Sequence, residues 1–206
     1  MNIFVLDSDL NKAAQYHNDI HLNKMLLEMT QMLCTAAHLL NSEIEIPYKP
    51  THKNHPCTKW LTQSFENYLY GIDFAKALIV ERQHRKFKQS KCESVIDYCY
   101  QNTDKISFDS YELTPFVQAI ANSNYKHDDA IVAYRTYHIF DKQGRYIKQR
   151  KLTEKYDVKE IKKFYPYRWT NRSKPYWFVT IEQPKYRVTF NDKSVKYFNN
   201  LENLNV

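Results

Sequence analysis

Apolar residues recur along the first two thirds of the chain at the three- and four-residue spacing of a helix face. Leu22, Met25, Leu26, Met29, Leu33, Ala36, Ala37 and Leu40 form one such stripe, which predicts a helix over 19–40 behind a shorter one over 10–17. Asp7-Ser8-Asp9 offers capping side chains for the first helix and Asp19 for the second. Trp60, Leu61, Phe65, Tyr68, Leu69, Ile72, Ala75, Leu78 and Ile79 mark another long helix over 57–88. Glu81, Arg82 and Arg85 read as its solvated, charged end. Shorter helices are expected over 91–100 and 127–138, and Thr114-Pro115 reads as the start of a further short one. Asn2–Leu6 is a compact apolar run of strand length. Pro47, Pro50 and Pro56 make 42–56 an irregular loop.

The pattern changes near residue 141. Lys and Arg become dense, with Tyr146, Tyr156, Phe164, Tyr165, Tyr167, Trp169, Tyr176 and Trp177 interleaved among them. Trp177–Ile181 and Tyr186–Phe190 are β-rich runs around Gln183-Pro184 and predict a small hairpin or meander. The expected fold is mainly α: a helical core with a short N-terminal strand and a small C-terminal β-hairpin or meander. Residues 1–140 form the core that carries the chemistry, and 141–206 form a basic, aromatic-rich α+β appendage packed on it. A chain of 206 residues is long enough for one such core.

Composition narrows the function class. A net charge of +7 with 15% aromatic residues points to a polyanionic partner, either nucleic acid or a small phosphorylated nucleotide. With 2 glycines in the chain and no GxGxxG or GxxxxGK(S/T) pattern, the composition argues against Gly-rich phosphate loops. The start has no basic leader, and no apolar run reaches the ~18 residues of a membrane span. No membrane partner is therefore expected. The 4 cysteines are expected to be reduced thiols in a cytoplasm. No cofactor and no metal are implied.

Four constellations could carry chemistry. In a continuous helix, His17, His21, Lys24 and Glu28 share one face beside an apolar stripe. Two imidazoles could hold a metal, a Lys beside an imidazolium could be a nucleophile, and a Glu beside Met25 and Leu27 could serve as acid or base. A solvated face with one Lys24–Glu28 pair is the plain alternative. The loop His52-Lys53-Asn54-His55-Pro56-Cys57-Thr58-Lys59-Trp60 is dense in donors, and its helix carries Lys59 and Asn67 along one side. His52, His55 and Cys57 lack standard zinc spacing. On the helix expected over 127–138, Arg135 could grip a phosphate and Tyr134 stack on a base. The basic C-terminal region has the composition of a surface that tracks phosphates and stacks bases, or of a plain solvated cover.

His21-Leu22 followed by Glu28, with Asn54-His55-Pro56 opening a helix and Glu81-Arg82 beyond, resembles the pyrimidine-dimer DNA glycosylases of the endonuclease V type. The likeness covers roughly residues 15–90. The chain is also similar to tailed-phage proteins sharing Asn-Ile-Phe-Val-Leu-Asp and Lys-Asn-His-Pro-Cys-Thr. The resemblance implies an N-glycosidase in which an N-terminal amine attacks C1′ and Glu28 stabilises the sugar cation. His21 and His17 would assist. Lys24, His55, Lys59, Trp60, Asn67, Tyr134 and Arg135 would bind substrate. The family's arginines beside the glutamate are Leu27 and Gln31 here, which shifts the expected substrate from damaged DNA towards other nucleotides, cyclic dinucleotide immune signals among them. A phage enzyme would act in the cytoplasm of an infected cell. A non-enzymatic module that binds nucleic acid or a host protein is the reading from another class.

Overall fold

A computed structural model describes residues 1–40 and 43–204. Asn41, Ser42, Asn205 and Val206 lie outside the described residues, so the first position of the expected 42–56 loop and the last two of the appendage are not covered. The chain forms two compact units, Met1–Tyr137 with Arg168–Trp177, and His138–Tyr167 with Phe178–Val206. The expected division at 140/141 falls close to the first of these boundaries. The second unit is interrupted, because ten residues return to the first.

The first unit is helical, with α1 (Leu10–Tyr16), α2 (Asp19–Leu39), α3 (Pro56–Gln63), α4 (Phe65–His84), α5 (Cys92–Gln101) and most of α6 (Ala130–Phe140). The stripe on α2 is buried from Leu22 through Met25, Leu26, Met29 and Leu33 to Ala36 and Ala37, while Leu40, the C-cap, is half-buried. Each buried Leu or Met side chain contributes roughly 1.5–3 kcal/mol relative to exposure. α2 packs on α3, α4 and α5.

Three expectations are corrected here. The long helix over 57–88 is two helices, because Ser64 is extended (φ −156°, ψ 161°) and its hydroxyl accepts from the Asn67 N–H at 3.1 Å. A serine satisfies the open N–H groups of a new helix at small cost, and a break there turns the chain. Thr114-Pro115 starts no helix. Its hydrogen-bonding groups go to Asn67 instead, with Thr114 N–H donating to Oδ1 at 2.9 Å and Asn67 Nδ2 donating to Thr114 Oγ1 at 2.7 Å. Asn2–Leu6 pairs with no strand and threads the helical core. Ile3, Phe4, Val5 and Leu6 are all buried. The backbone groups then need partners outside a ladder. Leu6 C=O accepts from Arg135 Nε at 2.8 Å, and Ile3 N–H donates to Asn2 Oδ1 at 2.9 Å.

The charged end of α4 is buried rather than solvated. Arg85 donates to Glu81 at 2.7 Å, to Asp19 at 2.9 Å and to the Gln15 carbonyl at 2.9 Å. Arg172 closes on Glu81 from the returning segment at 2.8 Å, and Thr170 donates to both carboxylate oxygens of Asp19. Burial raises the Glu81 carboxyl, but the hydrogen bonds from Arg172 and Arg85 outweigh it and hold the group below its ordinary value.

The second unit holds a four-stranded antiparallel sheet in the order β1 (Gly144–Lys148), β2 (Glu160–Pro166), β3 (Tyr186–Thr189), β4 (Val195–Phe198), with α7 (Arg150–Lys155) between β1 and β2. Ile161, Val188 and Leu201 form a small core against Leu152 and Tyr156. The β-rich run Trp177–Ile181 forms no strand, whereas the lysine-rich Glu160–Pro166 does. Strand formation depends on cross-strand partners more than on intrinsic preference.

Candidate active site around Met1 and Glu28

The candidate site is built by the start of the chain and one turn of α2. The Met1 amine lies 3.7 Å from Glu28 Oε2, in a pair whose carboxylate side chain is 21% exposed. At that distance the two charges attract without a hydrogen bond, and the Met1 side chain is 5% exposed. Asn2 holds the backbone in place. Its Nδ2 donates to the Ala119 carbonyl at 2.9 Å, and the Tyr134 hydroxyl lies 2.7 Å from its Oδ1.

His55 closes the other side. As the N-cap of α3, its Nδ1 accepts from the Cys57 N–H at 3.2 Å. Burial, then the Met1 ammonium and His52, hold its pKa below the ordinary value. The ring is therefore neutral at neutral pH. Cys57 is within electrostatic reach of both Met1 and Glu28, and burial pushes its thiol up to about 12, which leaves it protonated and unreactive. Leu27 and Gln31 flank Glu28 on α2 and line a surface cavity of about 460 Å³ with Pro47, Tyr48 and Pro50.

The expected line of four along one helix is broken. Asn18 caps α2, accepting from the Ile20 and His21 N–H groups, and His17 belongs to the end of α1. The capping role expected of Asp19 is therefore taken by Asn18, while Asp19 serves Arg85 and Thr170. His17 is fully buried, with Nδ1 2.7 Å from the Ala13 carbonyl and its ring between Phe4 and Phe74. His21 is buried against Phe4, with Nδ1 2.9 Å from Asn18 Nδ2. Lys24 is exposed one turn before Glu28.

The expected substrate-binding residues divide in the same way. Lys59 is exposed on α3 and His55 is half-buried beside Met1. Trp60 is buried, donates from Nε1 to the Pro115 carbonyl at 2.9 Å and packs on Tyr70 and Phe116. Asn67 is buried and donates to the Trp60 carbonyl as well as to Thr114. Tyr134 is buried behind Asn2. Arg135 pairs with Asp7 at 2.9 Å, in a cage of Tyr16, Tyr176 and Trp177. Trp60, Asn67, Tyr134 and Arg135 thus have polar or aromatic groups engaged by other protein groups.

Met1 and Asn2 enter the site unannounced by spacing. The one local signal is an asparagine at the head of an otherwise apolar run. Among the described residues, no three His, Cys, Asp or Glu side chains gather as a metal site. No described helix is long and apolar enough to cross a membrane. Comparison with family models, with characterised proteins and with solved structures finds no match.

Proposed function

We propose that the chain cleaves an N-glycosidic bond in a nucleotide of nucleic acid, with the Met1 amine and Glu28 as its reacting groups. The observation that supports this most is their 3.7 Å separation. Glu28 takes a proton from the Met1 ammonium. The freed amine attacks C1′, the C1′–N bond breaks, and the base leaves with the bonding pair and recovers that proton. The nitrogen, now bonded to C1′ and carrying two protons, gives one to Glu28. The C1′–O4′ bond breaks as the protonated imine forms, O4′ takes that proton from Glu28, and water hydrolyses the imine to release the aldehyde and regenerate the ammonium. As it passes the first proton to the leaving base, Glu28 regains its negative charge and lowers the energy of the cationic sugar.

The anchoring of Asn2 supports the same reading, since a reacting amine gains most when its position is fixed before substrate arrives. Lys24 and Lys59 are exposed cations on α2 and α3, suited to phosphate. Histidines 17 and 21 act in this scheme by holding Phe4 and the α1–α2 turn beneath the N-terminal segment. With Leu27 and Gln31 standing beside Glu28 in place of arginines, the alternative substrate is a cyclic dinucleotide cleaved by the same chemistry. Salt separates the two, because a polymer binder loses affinity steeply between about 50 and 200 mM salt and a small-nucleotide enzyme far less.

Borohydride trapping tests the scheme. Incubation with native DNA, damaged DNA and cyclic dinucleotides, followed by reduction and peptide mapping, is expected to place an adduct on the Met1 peptide. Glu28→Gln is expected to keep binding and lose turnover by about 10² or more. An adduct on Lys24, or unchanged turnover in Glu28→Gln, would remove this pair from the mechanism.

A further inference from the structure

The sheet of the second unit has two unlike faces. Side chains alternate across a strand, and directly paired residues share a face. Ile161 and Val188 are paired and carry the small core, so their face is covered by Leu152 of α7 and by Tyr156, which caps it. The other face follows from the register. Tyr146 stands opposite Phe164, Lys148 opposite Lys162, Lys162 opposite Arg187, and Arg187 opposite Tyr197. Tyr146 packs on Phe164 at 5.3 Å and on Tyr197 at 6.0 Å between ring centres. Tyr197 is 54% exposed.

This arrangement works against the stability of the sheet. Like charges directly opposite one another on adjacent strands are destabilising, and Lys148, Lys162 and Arg187 form such a row across three strands. Glu160 on the same face is shared among them, at 2.9 Å from Lys162 and 3.9 Å from each of the others. One carboxylate against three cations leaves the row under-compensated. The unit as a whole has 13 basic against 7 acidic residues, so the excess positive charge of the chain is concentrated here.

We infer that this face binds single-stranded nucleic acid, with bases stacked on the Tyr146, Phe164 and Tyr197 cluster and phosphates on Lys148, Lys162 and Arg187. Charge complementarity selects a polyanion. The aromatic cluster selects a single strand, because unpaired bases offer ring faces that a duplex keeps stacked inside. Glu160 then occupies the place of a phosphate in the unbound protein. The inference shares no residue with the Met1–Glu28 pair and stands without it.

Fluorescence anisotropy of the full chain with a labelled 12-nucleotide oligo(dT) and with a duplex of equal length tests it. The single strand is expected to bind more tightly than the duplex, with affinity falling as salt rises. Tyr197→Ala is expected to weaken single-strand binding by about 10-fold, in line with the loss of one stacked base. Lys162→Ala is expected to weaken binding and make the salt dependence shallower. Glu160→Gln is expected to tighten it. Circular dichroism melts check that each variant is folded; Tyr197 is a surface side chain and its removal opens no cavity. Equal affinity of folded Tyr197→Ala, or a preference for the duplex, would overturn the inference.

Discussion

The Tyr134 hydroxyl lies 2.7 Å from Asn2 Oδ1, a contact that spans 132 positions of chain. It ties α6 to the segment that carries the Met1 amine. The same hydroxyl accepts from the Ala119 N–H at 3.1 Å and lies 2.9 Å from the Val117 carbonyl. Tyr134→Phe removes all of these while keeping the ring. Leaving buried polar groups without a partner costs about 1–3 kcal/mol. For a chain of this size that lowers the melting temperature by roughly 2–12 °C. The yield of trapped adduct should fall further than the stability loss explains, because Met1 is no longer fixed opposite Glu28. Melting curves beside trapping yields at a temperature where the variant is folded check this.

Glu81 is the hub of the buried network. Glu81→Gln leaves Arg85, whose side chain is fully buried, short of charge compensation. Breaking a buried pair from one side costs about 3–5 kcal/mol. The pH dependence has a definite sign. The folded carboxyl sits below its ordinary value, so its contribution is complete above about pH 4.5 and is lost as pH falls through the folded value. Denaturant titrations between about pH 6 and 3 should show the native protein losing stability over that interval and Glu81→Gln losing less of it.

His55 gives the opposite chemistry and the same direction. Its folded pKa lies below the ordinary 6.5, so the unfolded chain takes up the proton first as pH falls. Stability therefore declines from about pH 6.5 downward. His55→Asn keeps a side-chain acceptor for the α3 N-terminus and removes the titration. Stability measured at pH 7.5 and pH 5.5 should differ less in the variant than in the native protein.

Much of the first unit was legible in residue spacing. The α2 stripe, the α5 and α6 segments and the proline-containing loop follow from period and punctuation, which are local properties. Glu28 and His55 were legible as candidates because charged or ring nitrogen groups beside an apolar face stand out. The break at Ser64 was less legible, since the apolar period runs on through it and only the cap geometry interrupts the helix. The fate of Thr114-Pro115 depended on a distant partner, Asn67, that no window around it contains.

Period, composition and charge therefore settled the helical character of the core, its buried face and the basic nature of the C-terminal region. Tertiary structure decided what those residues do. It buried His17, His21, Trp60 and Tyr134, drew Arg85 and Glu81 into the interior, and brought Met1 to Glu28 across 27 positions of chain. The physical reason is that a side chain's chemistry depends on its solvent and its partners. Spacing along one helix fixes neighbours only within a turn or two, whereas burial and charge pairing are set by segments far away in the chain.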